Sequence, residues 1–567
     1  MTNVRLPMMS TLERKVFEIF GQVSPVEMYC LGLDEFQGKL LVMSRDNIDG
    51  ILAKIAAVKK ECRKADVVSR KLLESIETTL MLDEPASGIS QVTNALSSYL
   101  IKEGLNPDHM GPMIDCSIES LEGWMTALGE KNYPVGIKIL AQYQVLGVLE
   151  VVDLVERESK VPALTQKAQA LRRTVEKFKQ KYAVTGFTSG DFEEVKNILS
   201  WQGANLHREK FYPRALRYAF DYSESWKVLE RKALKWLGDD LKQFKVATKK
   251  LAKKLGCPND PESVQKMLRE RPGMYGKETL ETTNRIRPVI QKLVSESIAG
   301  INPGYNARVI ETPPYLAPII PTAAAQGFGG LTDNPSQTYF LTTDPKMSPP
   351  GGLADLVDTL VHEEYGHCLH FSNTAAQFEA KATIAELLPS LHTGTTSEGL
   401  SFQRELEFLD LMHRLAKKKP SQYSEAEAEF IQMLADHGGF VQFLLEIDFE
   451  IYRFRLIRFL RVIGDTRINS GKQNLLDFLR WSEKATKLAQ RSVYYQLFPA
   501  HEAIFPGYAT CYAVVGQDIR AIQRRIKNDP RKLARFNAYA TSMGYPPRSI
   551  YLKRLRAYAQ KLSKTRR

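Results

Sequence analysis

Side chains that commonly hold transition metals are scarce in this chain, whose 567 residues include nine histidines and six cysteines. The cysteines (Cys30, Cys62, Cys116, Cys257, Cys368 and Cys511) are scattered, with no Cys-x-x-Cys pair. That spacing argues against both a thiolate zinc site and a disulfide framework. Cys368 adjoins the key segment described below, and as a lone thiol it reads as a small buried hydrophobe. No run approaches the roughly twenty uninterrupted apolar residues that a bilayer-spanning helix needs. The first residues, MTNVRLPMMSTLERKVFEIFGQ, lack the apolar core and small-residue cleavage site of a signal peptide. A cytoplasmic location with no membrane partner is therefore expected. Fixed-period repeats, low-complexity tracts and RNA- or DNA-binding motifs are also missing.

Hydrophobic residues at 43% and charged residues at 25% are ordinary for a globular protein. The net charge of +13 is unevenly spread: from Arg520 to Arg567 fifteen Lys or Arg face one acid, Asp529. Solvated helix faces account for such a stretch without a partner, and nucleic-acid contact is the alternative. Most segments carry helical periodicity, among them Val135–Ser159, Leu164–Tyr182, Phe192–Leu206, Ala215–Leu255, Lys277–Ile298, Ala426–Leu460 and Asn474–Gln496. Asp260 followed by Pro261 reads as a helix start. One region differs: nine of the 28 prolines fall between Asn302 and Pro350. Within it Tyr315–Pro321 and Thr338–Thr343, which includes Tyr339, read as short strands separated by Gly327–Gly330. A small sheet with open edges is expected there, able to hold an extended peptide by backbone hydrogen bonds, with Tyr339 as a substrate contact. The predicted organisation is a helical region 1–300, a proline-rich β segment 301–350, a catalytic helical region 351–519 and a basic helical tail 520–567.

The segment LADLVDTLVHEEYGHCLHFSN, starting at Leu353, keeps Leu353, Leu356, Val357, Leu360 and Val361 at helical spacing. It delivers His362, Glu363, His367 and His370 within nine residues, and the chain has only nine histidines. Hydrolysis by zinc needs three protein ligands and an open position for water, and a carboxylate beside them to move the proton. His362 and His367 are the candidate ligands and Glu363 the candidate base. On a regular helix, positions five apart diverge by about 140°, against about 40° for four apart. A one-residue bulge removes that objection, and Gly366 marks where it is easiest. An undistorted helix would instead gather Glu363, His367 and His370, or leave all of them as polar core residues.

A third ligand has to come from elsewhere. In Thr395–Leu406, Thr396 or Ser397 can cap a helix with Glu398 in its first turn, and Glu405 two turns on can orient a histidine ligand. Glu386 and Glu379 are reserve ligands, and His392 is a candidate substrate contact.

The segment His362-Glu-Glu-Tyr-Gly-His367 is similar to the His-Glu-x-x-Gly-His motif of the dipeptidyl peptidase III family, which binds zinc on a distorted helix. The longer resemblance is to domain-of-unknown-function family 885, helical zincin-like metallopeptidases. It rests on four motifs in order: His362–His367, Glu398-Gly399 with Glu405, Arg461–Asn469, and Pro506–Gly516 with Ala509 and Tyr512. The early Ser24–Asp34 segment also looks alike. Departures are the shorter histidine spacing, Leu400 in place of Trp, and Asn469 in place of His. The resemblance implies a mostly α, zincin-like fold with a small sheet beside the active-site helix. It further implies Tyr512 as oxyanion donor, helped by Tyr508 at the substrate, and Arg461 on a substrate carboxylate, with His501 in reserve. Zinc-dependent cleavage of short peptides, as a carboxypeptidase or dipeptidase, is the resulting expectation. An inactive scaffold that binds nucleic acid and a zinc amidohydrolase are the alternatives.

Overall fold

The structure, a computed structural model, describes residues 3–564 except 185, 188–190, 271–276, 315, 318–319, 321, 345–350, 378 and 527–528. Helix covers 72% of the chain and the sheet has three strands, so the mostly-α expectation holds. Helix α1 (Thr11–Val23) is closed at its start by a capping box between Ser10 and Glu13, and α2 (Pro25–Cys30) follows at once. Helix α3 (Val67–Leu80) packs on α1. Helix α4 (Val135–Glu158) is long and apolar enough to meet a membrane-span test by composition, but 61% of its apolar window is buried against neighbouring helices. Asp260 does cap the helix that Pro261 begins, accepting from the Ser263 N–H at 2.9 Å.

Strands β1 (Ala307–Glu311), β2 (Ala323–Phe328) and β3 (Ser336–Leu341) form a sheet in the order β1-β3-β2, β1 parallel and β2 antiparallel to β3. The expectation for this region needs correcting. Gly327 and Phe328 belong to β2 instead of separating strands, and Leu316 and Ala317 make a turn hydrogen-bonded to Pro313. Tyr315, Pro318, Ile319 and Pro321 lie outside the described residues. Because β3 is central, β2 is an edge strand whose outer side pairs with nothing among the described residues.

Helix α5 (Leu353–His362), a π-helical turn (Glu363–Cys368) and α6 (Leu369–Ala376) form one continuous rod. The predicted apolar face is buried, with Leu356, Val357, Leu360 and Val361 all at 0% exposure. Each such side chain contributes roughly 1.5–3 kcal/mol. Helix α7 (Leu391–Leu415) is buried on nearly every face, and α8 (Gly439–Asn469) packs against both α5 and α7. The single helix expected over Ala426–Leu460 is broken at Gly438 and Gly439, whose φ values of +88° and +83° no other residue adopts easily. Helices α9 (Cys511–Gln523), α10 (Pro530–Ser542) and α11 (Arg548–Lys564) complete the chain. The basic segment lies on the body: α10 packs on α6, where Asn373 Nδ2 donates to Thr541 Oγ1 at 2.7 Å. Arg554 pairs with Glu386, and Arg548 pairs with Glu224 and Asp518.

Candidate metal centre

The rod widens where the histidine spacing demands it. Five residues make about 1.4 turns of α-helix, but the i→i+5 bonding of a π turn returns the fifth residue to the same side. His362 and His367 therefore face each other, ring centroids 5.1 Å apart. Gly366 has a role beyond easing the distortion. A Cβ there would lie 2.2 Å from Ser401 Oγ and 2.8 Å from Ser401 Cα, so glycine lets the rod press against α7.

The carboxylate arrives from α7, as expected, though its setting differs. The cap is Ser390, whose hydroxyl accepts from the His392 N–H at 3.1 Å. Glu398 therefore sits two turns inside the helix, and Thr396 and Ser397 are interior residues, not caps. Gly394 and Gly399 are notches, since a Cβ on either would lie 2.6 Å from Tyr508 or Val515.

Glu398 Oε2 lies 3.4 Å from His367 Nε2 and 3.8 Å from His362 Nε2. Donor atoms of these three residues lie within 4.8 Å of one another. A tetrahedral zinc with bonds near 2.0–2.1 Å separates its ligands by about 3.3 Å, so small closures complete the site. The other atom of each ligand is engaged. His362 Nδ1 is 2.6 Å from Glu405 Oε1, His367 Nδ1 is 2.7 Å from Ser397 Oγ, and Tyr508 donates to Glu398 Oε1 at 2.9 Å. Glu398 Oε2 is buried with no hydrogen-bond partner. An orphaned carboxylate oxygen between two free imidazole nitrogens is the donor set a divalent cation takes. The residues fit a metal.

Electrostatics agree with that arrangement. Burial alone would raise the Glu398 carboxyl, yet His367, whose own value this carboxylate raises, and the Tyr508 hydroxyl bring it down to about 2. Burial, with Arg458 and His367 nearby, holds His362 well below its ordinary value and so neutral. Glu363 has no hydrogen-bond partner among the described residues, and burial pushes its carboxyl up to about 7. It directly follows His362 in the chain, and His367 and Glu398 act on its charge.

Other expected residues sort differently. Tyr512 stands at the centre, its ring stacked 6.4 Å from that of His362 and its hydroxyl 3.0 Å from His501 Nε2. Tyr508 holds the ligand carboxylate, a positioning role, where a substrate contact was expected. Arg461 is 6% exposed, lies 4.8 Å over the Tyr512 ring and donates to Gln496, so it stands behind the tyrosine and not as an open fork. Tyr339 is fully buried beneath the sheet, its hydroxyl unpartnered, and does not line a cleft. The alternative set of Glu363, His367 and His370 does not converge among the described residues, and His370 Nε2 bonds the Gly544 carbonyl at 3.0 Å. Glu386 caps a short helix, and Glu379 receives the Tyr558 hydroxyl at 3.4 Å. His392 is buried in the first turn of α7. Asn469 joins a buried network with Asp465 and Glu502, and Asp465 Oδ1 accepts the Gly507 N–H at 2.8 Å, fixing the turn that carries Tyr508.

Three participants escaped the sequence reading. Arg458, one turn before Arg461 on α8, pairs with Glu405 Oε1 at 2.6 Å and reaches His362 Nδ1 at 3.3 Å. Ser397 looked like a cap. Phe371, one turn after His367, lies nearly parallel to its ring at 6.4 Å and abuts Gly327 of β2, where a Cβ would lie 2.9 Å from the Phe371 ring. Edge strand β2 thus runs beside the metal rod. A cavity of about 520 Å³ opens there, bounded by Phe371, Tyr508, Ala325–Phe328 and residues of α2.

No family model and no curated protein matches the chain. Two solved structures are similar over nearly its whole length. One is described as "the putative lipoprotein from Colwellia psychrerythraea", with 13% identity and a TM-score of 0.59, covering 98% of this chain and 100% of that one. The other, "a putative lipoprotein of unknown function from Shewanella oneidensis", has 15% identity and a TM-score of 0.65, covering 96% and 100%. At these identities the likeness is one of fold.

Proposed function

We propose that the protein is a zinc-dependent peptidase of zincin-like type acting on short peptides. The observation that carries this reading is the convergence of His362 Nε2, His367 Nε2 and the orphaned Glu398 Oε2, with Glu363 alongside. When bound, zinc lowers the pKa of a water and polarises the scissile carbonyl. Glu363 takes the proton as the water oxygen bonds to the carbonyl carbon. It then returns that proton to the amine nitrogen as the C–N bond breaks. Tyr512 turns its hydroxyl from His501 to the developing oxyanion, with Arg461 over its ring strengthening it as a donor. The unpaired edge of β2 favours an extended peptide over other amides, since its backbone groups match those of a strand.

The test is metal analysis and peptide cleavage for the wild type beside Glu363→Gln, His362→Ala and Glu398→Ala. Glu363→Gln should keep the metal and lose cleavage, and the other two should lose metal. Full activity in Glu363→Gln removes the base assignment. Cleavage of simple amides in preference to peptides moves the reading to an amidohydrolase.

A further inference from the structure

Glu27 is the one charged side chain in the wall of the cavity beside the metal centre, among the described residues. It stands on α2, and α2 is tied to the far end of β2. The Gly329 N–H donates to the Cys30 carbonyl at 2.8 Å and the Leu331 N–H to the Leu31 carbonyl at 3.0 Å. The Glu27 carboxylate makes no hydrogen bond or ion pair with any described residue, in a chain whose net charge is +13. Its side chain is exposed to the cavity, so a cation entering there meets it directly. Strand β2 supplies a direction. A peptide adding to its free edge pairs slightly better antiparallel than parallel, so its amino-terminal end lies towards Phe328 and α2. That is the end where Glu27 waits.

We propose that Glu27 receives a cationic group of the substrate on the amino-terminal side of the scissile bond. The group is an α-ammonium or a basic side chain, which makes the cavity a specificity subsite. This inference rests on the peptidase reading. An ion pair with charge-assisted hydrogen bonds is the whole interaction, and no covalent step is involved.

Calorimetric binding of short peptides to zinc-loaded Glu363→Gln protein separates recognition from hydrolysis. Two matched pairs serve: a free against an acetylated amino terminus, and, in acetylated peptides, lysine against norleucine. The cationic member of at least one pair should bind roughly two- to fivefold more tightly. Adding Glu27→Gln should bring that ratio to about one, and adding Glu27→Asp should keep part of it. Loss of the first preference assigns the α-ammonium, and loss of the second assigns the side chain. No preference in the parent, or a preference indifferent to Glu27→Gln, overturns the subsite. Discrimination in binding without any cleavage by the wild type would instead overturn the peptidase reading and leave the cation subsite standing.

Discussion

His362 Nδ1 and Glu405 Oε1 lie 2.6 Å apart on the side of the imidazole away from the cation site. The same oxygen receives Arg458 at 2.6 Å, so the carboxylate is held from two directions. Nδ1–H donates to Glu405, and this tautomer leaves the Nε2 lone pair free for a metal. Glu405→Gln keeps the shape and weakens that preference. Its metal affinity should fall roughly 10- to 100-fold, read by competition with a chromophoric chelator. Excess zinc should restore most of the turnover. Unchanged affinity would mean that the pair serves packing alone.

The contact between Gly366 and Ser401 makes a second, steric prediction. In Gly366→Ala the new methyl would meet Ser401 Oγ at 2.2 Å, Cβ at 2.6 Å and Cα at 2.8 Å. The rod must retreat from α7, costing about 1–3 kcal/mol and separating the histidines from Glu398. Thermal melts should show the loss and metal analysis a depleted site. Ser401→Gly in the same protein removes two of the three clashes and should recover part of each. A Gly366→Ala protein with full metal content would show that the close approach is not what sets the ligands.

How much of this was legible in advance follows from the range of each interaction. The π turn could be read from the sequence because two imidazoles five residues apart can share one ion in no regular helix. Glu398 and Glu405 could be read because seven residues place them on one face of α7. Arg458, Ser397 and Phe371 could not, because their roles depend on how helices distant in sequence cross. The start of α7 was misplaced because Thr396 and Ser397 look like caps, while Ser390 holds the real one. Strands β1 and β2 were both missed for a similar reason. Ala307–Glu311 becomes a strand through its parallel pairing with Ser336–Leu341, a partner that alternation in the sequence does not reveal.

Tyr508 and Tyr512 are four residues apart and both border the site, yet the geometry divides their work. Tyr508 donates to the ligand carboxylate at 2.9 Å, whereas the Tyr512 hydroxyl rests on His501 and its ring faces His362. Tyr508→Phe should therefore weaken metal binding and leave turnover at saturating zinc close to that of the wild type. Tyr512→Phe should retain zinc and lose roughly 10²–10³ in kcat, the range for removing one oxyanion donor. Steady-state kinetics at several zinc concentrations separates the two, and a metal defect in Tyr512→Phe would reverse the assignment.

The acid–base behaviour of Glu363 gives the last prediction. Its carboxyl is raised from 4.5 to about 7 by burial, and it acts as a base only when ionised. The kcat/KM of the zinc form should fall on the acid side, with an apparent pKa below about 7 because a cation among the ligands favours the anion. In the metal-free protein the same shift sets stability. A carboxyl whose folded pKa exceeds its unfolded one contributes fully below about 4.5, and the contribution is lost as pH rises through about 7. Glu363→Gln carries no such dependence. Metal-free wild type should therefore lose stability relative to Glu363→Gln between about pH 5 and about pH 8, by ~1–3 kcal/mol. Paired urea titrations at the two pH values measure the difference, and a gap that does not widen with pH would show that burial does not hold this carboxyl neutral.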